Sequence, residues 1–439
     1  MHNGIQVHVI GAGLAGCDAV WQLVRRGIRV RLYEMKPKVF SPAHESEQFG
    51  ELVCSNSLRS DSIENAAGLL KEEMRRLDSL VIQAADANRV PAGSALAVDR
   101  TCFSRTLTAA LSNHPLVEVV RTEVTQIDPD TPTIVATGPL TSQALSAHLS
   151  LLLGQKSLFF YDAAAPIVLA ESLDMQKVFR ASRYGRGSDY LNCPMSREEY
   201  LSFYRELVNA RTAPVHGFEE KRVFEGCMPV ESMAKRGEMT LAFGPLKPVG
   251  LKNPETGQRP FAVVQLRQDD AEGRLYNMVG FQTRLLFAEQ KRVFSMIPGL
   301  TNAEFVRYGV MHRNTYLRSP GLLTPDYQLR KHPKIYFAGQ MTGVEGYVES
   351  AASGMVAGIS MACKLLGEKT PDFENTTALG ALGHYVSEYA GENFQPMNIN
   401  FGILRELENI IKPKRARYAA IAERALNSVD RIRIMTQGD

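Results

Sequence analysis

The chain has 439 residues, of which 44% are hydrophobic and 22% charged, with a net charge of +3. That length suits two or three domains of an ordinary globular protein, and the near-neutral balance excludes a chain that binds polyanions along its whole length. No stretch approaches the ~18 apolar residues of a membrane span. The N-terminus has no charged segment before its first apolar run, so no signal peptide is expected.

Ile5, Val7, Val9 and Ile10 lead into Gly11-Ala12-Gly13-Leu14-Ala15-Gly16. A helical pattern, Gly27, a second apolar run (Ile28, Val30, Leu32) and Glu34 follow. This is a dinucleotide-binding βαβ unit. Gly11 makes the turn, Gly13 lets the backbone approach a pyrophosphate, and Gly16 lets helix and strand pack closely. The helix N-terminus faces the phosphates. Glu34, 18 residues after Gly16, is placed to bind ribose hydroxyls, which favours FAD or NAD over NADP.

Leu69, Leu70, Met74, Leu77 and Leu80 recur near period 3.6 and predict a helix over 66–80. A second helix is expected over 101–112, then short strands at Val117–Val120 and Glu123–Ile127. Thr133–Gly138 reads as an apolar strand ending in a small-residue turn, so Gly138 is a candidate cofactor contact. From 160 to 330 Gly and Pro are frequent, and helical stretches (196–210, 286–297) alternate with irregular sequence and a strand-like Val263–Arg267. The dinucleotide-binding pattern resumes at Lys334–Gly339, with Gly339-Gln340 before a small-residue helix at Ser350–Leu366. No second GxGxxG is present, so NAD(P)H, if used, binds transiently. The last 70 residues read as helical and polar, with an irregular stretch at Phe394–Phe401.

The expectation is an α/β fold. A discontinuous Rossmann-like FAD-binding domain takes residues 1–160 and 331–367. An inserted mixed α/β lobe for the substrate takes 161–330, and a helical C-terminal segment takes 368–439.

Six cysteines (17, 54, 102, 193, 227, 363) form no CxxC pair, as expected of free thiols in a reducing cytoplasm. Two stand in unusual settings: Cys54 in Glu51-Leu-Val-Cys-Ser-Asn-Ser-Leu-Arg59, and Cys227 between Gly226 and Met228-Pro229. A reactive thiolate needs a nearby positive charge or helix N-terminus. Arg59, Lys221 and Arg222 are close in sequence. Without such a partner a cysteine is commonly an apolar filler. The histidines form no HxH or HExxH pattern, so no metal site is expected; His312 is a candidate to face a ligand. Residues 283–334 carry nine Lys/Arg against three acids, a net of +6, and Lys412–Arg417 forms a second basic cluster. Each reads either as a solvated face or as a track for a phosphate backbone.

Together these segments resemble the folate-dependent tRNA (uracil-5-)-methyltransferases, the TrmFO family. The matching motifs are GAGLAG (11–16), ELVCSNSLR (51–59), GLLKEEMRRLDSL (68–80), ALAVDR (95–100), ATGPLTS (136–142) and FYDAAAPIV (160–168). They continue with FEGCMPVE (224–231), FGPLKPVGL (243–251), VGFQT (279–283), GVMHRNT (309–315), FAGQMTGVEGYVESAASG (337–354) and FQPMN (394–398). Ser94 stands where the family generally has a second glycine. The family is similar in part to GidA, the larger flavoprotein that helps modify the tRNA wobble uridine, whose long C-terminal helical domain this chain is too short to hold.

The resemblance implies transfer of a one-carbon unit from 5,10-methylenetetrahydrofolate to C5 of the T-loop uridine of tRNA. FAD supplies the reduction, and NADH or NADPH restores it. Cys54 and Cys227 fall on the family's two functional cysteines. Cys227 is assigned to attack uracil C6 and Cys54 to work beside the flavin, with the opposite assignment open. Tyr347 and Glu349 become candidates for stacking and hydrogen bonding to the flavin–folate pair, Gln340 and Gly339 for cofactor contact, and Arg284 for a folate carboxylate or a phosphate. The two basic segments would track the tRNA elbow while the target base is flipped out. A cytoplasmic enzyme with no membrane contact and no protein partner is implied. The competing readings are the same chemistry on ribosomal RNA, an NAD(P)H-linked flavin oxidoreductase acting on a small substrate, and a non-enzymatic RNA-binding protein with structural FAD.

Overall fold

The computed structural model describes residues 6–154, 158–213, 228–254, 256–309, 311–392 and 394–437. Cys227, Lys221 and Arg222 lie outside them.

The glycine-rich unit builds a five-stranded parallel sheet in the order Ile335–Phe337, Thr133–Val135, Gln6–Ile10, Arg29–Glu34, Val117–Arg121. The late strand therefore sits beside Thr133–Val135 and closes the sheet that the N-terminus opens. Two helices, Leu14–Val24 and Tyr347–Leu366, are buried along almost their whole length on one face. Their small residues explain the depth of that packing. A Cβ added to Gly354 would stand 2.0 Å from the Ala15 carbonyl oxygen, and one on Gly16 would stand 1.9 Å from that of Gly11. On the other face Leu145, Leu149 and Leu153 meet Ile10, Val135 and Phe337, joined by Leu317, Leu323 and Leu329.

A second sheet, of six strands, runs in the order Phe179–Arg180, Tyr190–Met195, Ala262–Gln268, Leu275–Met278, Ile167–Leu169, Phe305–Arg307. Its neighbours are antiparallel. It has its own core, in which Met195, Val264 and Leu266 meet Phe203 and Leu207 of helix Arg197–Asn209 and Phe294 of helix Phe287–Phe294. Ser196 and Glu199 form a reciprocal capping box at the start of the first of these helices. An antiparallel pair, Leu158–Ala163 with Met311–Tyr316, runs between the sheets. The C-terminal helices Ala378–Glu388 and Lys414–Gln437 contribute Leu379, Leu382, Ile421 and Val429 to the core of the first sheet's helical face.

Three local expectations are corrected. The 66–80 helix is two, Ala66–Arg76 and Leu80–Ala87. The chain breaks at Asp78, whose φ is 57°, and Ser79 caps the second helix through its bond from Ile82 N (3.1 Å). The period carries across the break because Leu77 and Leu80 enter the same core. Glu123–Ile127 is not a strand; the Ile127 N–H goes to His148 Nε2 at 3.1 Å. The irregular stretch near Phe394 is wider than expected, with no helix among the described residues between Glu388 and Lys414.

Asp18, inside helix Leu14–Val24, is fully buried. It accepts from Ser79 Oγ (2.6 Å) and Val81 N (3.1 Å), yet burial pushes its carboxyl up to about 7. The folded chain therefore holds a proton at pH values where the unfolded chain has lost it. That contribution is full below the unfolded value of 3.8 and is lost as pH rises through about 7. Urea midpoints measured across this window should fall more steeply for the parent chain than for Asp18→Asn.

Candidate active site

The first strand ends at the glycine loop, where Gly11 has φ 100° and Gly13 caps the following helix. A Cβ on Gly13 would have nothing within 4 Å, so the loop faces open space with its backbone accessible. Glu34, at the end of the second strand, accepts from Ala12 N and Lys36 N, both at 3.0 Å. It braces the loop and lines the same cleft. The other walls are Tyr33, Lys36, His44, Gly50, Glu51, Val53, Thr122–Val124, Ala136–Ser142, Gly339, Gln340, Tyr347 and Ser350. Gly138 (φ 68°) has nothing within 4 Å of an added Cβ, and Gly339 (φ 86°) has only Ala15 Cβ, at 3.2 Å. The Gly339 N–H donates to Ser353 Oγ (2.7 Å), which ties this turn to the second long helix.

The cleft thus runs past two helix N-termini, at Leu14 and Tyr347, with a carboxylate at the end of the second strand. Backbone donors and helix dipoles suit a pyrophosphate, and a carboxylate suits ribose hydroxyls. The open space at Gly13 and Gly138 is a cradle that side chains would fill. These residues fit a dinucleotide such as FAD.

Of the residues picked out in the sequence, Ala12, Gly13, Leu14, Ala15, Glu34, Gly138, Gly339, Gln340 and Tyr347 line this cleft together with Gly11. Gly16 does not; it packs against Gly11. Glu349 does not either. Its fully buried carboxylate pairs with Arg59 and accepts from Ile399 N at 2.9 Å. Cys54 adjoins the cleft next to Val53. Its N–H donates to Tyr347 Oη at 2.7 Å, and the Ser55 N–H does so at 3.3 Å. Burial pushes the Tyr347 phenol well above its ordinary range, so the hydroxyl stays protonated and accepts these bonds through its lone pairs.

Arg284 lies in the lobe, 10% exposed, 3.8 Å from Glu231. The backbone of His312 pairs with Asp162 in the strand pair between the sheets. Much of the basic segment is engaged locally. Arg292 pairs with Glu206 and Glu289, Lys334 with Asp130, Arg307 donates to Ala43 O, and Arg330 donates to Leu323 O. Lys412, Lys414, Arg415 and Arg417 are exposed. Lys414 and Arg417 flank the Tyr418 ring, and Arg415 pairs with Glu64. Among the described residues no group of three or more His, Cys, Asp or Glu is placed to hold a metal, and no helix is long and apolar enough to cross a membrane.

Residues 6–369 match the family model described as glucose inhibited division protein A. The methylenetetrahydrofolate–tRNA-(uracil-5-)-methyltransferase TrmFO of Acetivibrio thermocellus is 62% identical over 421 residues, 96% of this chain and 97% of that relative. The chain belongs to the TrmFO family. The TrmFO of Bacillus subtilis is 58% identical, with 98% of this chain and 99% of the relative covered. Among solved structures, GidA of Aquifex aeolicus matches 98% of this chain and 74% of its own, with a TM-score of 0.72 at 14% identity. That likeness shows the shared fold.

This TrmFO chain also places residues at or beside the cleft to which the sequence reading assigned no role. Lys36 and Glu51 form a nearly buried ion pair of 3.3 Å, and His44 meets Ser41 Oγ at 2.5 Å. Burial and the Lys36 charge hold His44 below its ordinary value. Arg100, inside the ALAVDR motif, reaches the Cys54 loop. Its identity as an arginine was visible, but its partners are far along the chain.

Proposed function

We propose that this chain transfers the one-carbon unit of 5,10-methylenetetrahydrofolate to C5 of the T-loop uridine of tRNA, in the cytoplasm, with FAD in the cleft and NADH or NADPH as reductant. The kinship with TrmFO enzymes over 96–98% of the chain carries the reading, and the cleft supplies the physical support.

Bound FAD supplies the two electrons that turn a transferred methylene into a methyl group. The chain's own residues do the rest. The glycine loop and the N-termini at Leu14 and Tyr347 hold the phosphates, and Glu34 holds the ribose. Cys227, as thiolate, adds to uracil C6, which makes C5 nucleophilic enough to take the carbon, whose bonds to the folate nitrogens break as tetrahydrofolate leaves. A base then removes the C5 proton and the thiolate leaves C6, which restores the ring. Cys54, kept at the cleft by Tyr347, works beside the flavin. The lobe of residues 161–330 faces the RNA, and the exposed Lys412–Arg417 cluster tracks its backbone.

Glu34→Ala removes a charge-assisted brace of the glycine loop. FAD affinity is expected to fall by about 1.5–3 kcal/mol, the scale of a hydrogen bond to a charged group, measured by flavin release on dilution. An unchanged flavin off-rate would remove Glu34 from the cofactor site.

Labelled carbon offered as methylenetetrahydrofolate to unmodified tRNA, with FAD and NADPH, should appear as 5-methyluridine in the T-loop. Label in ribosomal RNA alone would move the target. NADPH oxidation with no labelled RNA would leave a flavin oxidoreductase.

A further inference from the structure

The loop that carries Cys54 is held by the lobe. Arg100 opens the helix Arg100–Ser112. Its guanidinium donates to Leu52 O and, at 3.3 Å, to Cys54 O. The same group pairs in a fork with Asp269, Nε to Oδ2 at 2.8 Å and Nη2 to Oδ1 at 3.1 Å. The two side chains are 14% and 3% exposed. Asp269 directly follows the lobe strand Ala262–Gln268, and the last residues of that strand grip the loop further on. Arg267 donates to Ser55 Oγ (2.6 Å) and Asn56 Oδ1 (2.9 Å), while Asn56 Nδ2 donates to Gln268 O (2.9 Å).

From this geometry we propose that Arg100, held by Asp269, is a positioning residue for Cys54 that ties its backbone to the lobe. The Cys54 peptide is fixed on both sides, its N–H on Tyr347 and its carbonyl on Arg100. Both guanidiniums also lie within electrostatic range of the thiol. A buried ion pair is a poor way to gain stability, because desolvating both partners offsets most of their attraction. What the fork does provide is direction: five N–H donors in one plane, aimed at two carbonyls and a carboxylate. A lysine at this position keeps the charge and cannot make that set of bonds. Because Arg267–Asp269 belongs to the lobe, these bonds link the position of Cys54 to that of the lobe.

The proposal rests on a working role for Cys54 in the methyl transfer. Its test therefore carries one readout that needs no methyl transfer. The full-length FAD-loaded protein and its Arg100→Lys and Asp269→Asn variants are treated with iodoacetamide at fixed pH. Labelling of Cys54 is followed by peptide mass, and kcat and KM for tRNA are measured in parallel. Arg100→Lys should keep its flavin spectrum and its KM for tRNA. It should lose at least about tenfold in kcat, the scale of a small misplacement of a reacting group, and its Cys54 labelling rate should change by a similar factor. Asp269→Asn should move both readouts in the same direction by less. Unchanged labelling overturns the proposal whether or not kcat falls, because Arg100 would then not act through Cys54. Loss of flavin from both variants also overturns it and leaves a structural clamp between sheets. If the parent transfers no carbon to RNA, the functional reading fails by itself, and the labelling comparison still decides whether Arg100 positions Cys54.

Discussion

Cys227→Ala is expected to purify yellow, with FAD bound as in the parent, and to form no 5-methyluridine. Uracil C5 does not attack a methylene until a nucleophile has added at C6, so removing that thiolate removes the reacting species. The loss should reach at least about 10²–10⁴-fold, the range for a positioned catalytic group. Cys54→Ala should lose turnover as well, and the two variants separate on a second readout. RNA carrying 5-fluorouridine at the target cannot lose its C5 substituent as a proton, so an enzyme thiolate that has added at C6 stays attached. The parent and Cys54→Ala should form this denaturant-resistant protein–RNA complex, and Cys227→Ala should not. The reverse pattern would exchange the two assignments. Full methylation by Cys227→Ala would remove it from the chemistry.

The glycine-loop wall of the cleft was legible because its signals are local. The turn and the proposed phosphate and ribose contacts fall within Gly11–Glu34, and Gly11 and Gly16 each answer to a backbone constraint that glycine alone satisfies. The return of the chain at Lys334–Gly339 was legible for the same reason, as an apolar strand followed by glycines. The surroundings of Cys54 were not. Arg100, Arg267 and Tyr347 converge on residues 52–56 from three separate parts of the chain, with Asp269 holding Arg100, and no spacing rule connects them. Glu349 illustrates a different failure. It stands two residues after Tyr347 in a helix, about 200° further round at 100° per residue, so one of the pair reaches the cleft and the other turns to Arg59. Charge counting over 283–334 also overstated the free basic surface. Arg292 and Lys334 face acids that lie outside that segment or four residues or fewer away within it, and only the fold shows which.

Gly354→Ala is expected to destabilise the chain by about 3 kcal/mol or more, at the upper end of overpacking effects. The added Cβ would stand 2.0, 2.6 and 2.7 Å from the O, C and Cα atoms of Ala15. All three are backbone, so no side chain can swing aside, and the two long helices must separate or the glycine loop must shift. Alanine's better helix propensity returns only about 1 kcal/mol, too little to change the sign. Because Ala15 also lines the cofactor cleft, the same displacement should loosen FAD, and added flavin should restore less of the melting temperature than it does for the parent. Gly367→Ala is the comparison. Gly367 ends the same helix at φ 70° with nothing within 4 Å of an added Cβ, so it meets only the strain of a left-handed backbone, about 1–2 kcal/mol. Thermal unfolding should therefore rank the parent first, Gly367→Ala second and Gly354→Ala last. If Gly354→Ala melts with or above Gly367→Ala, the helices have room to part, and the small residues of 351–360 are not what sets the depth of the cofactor cleft.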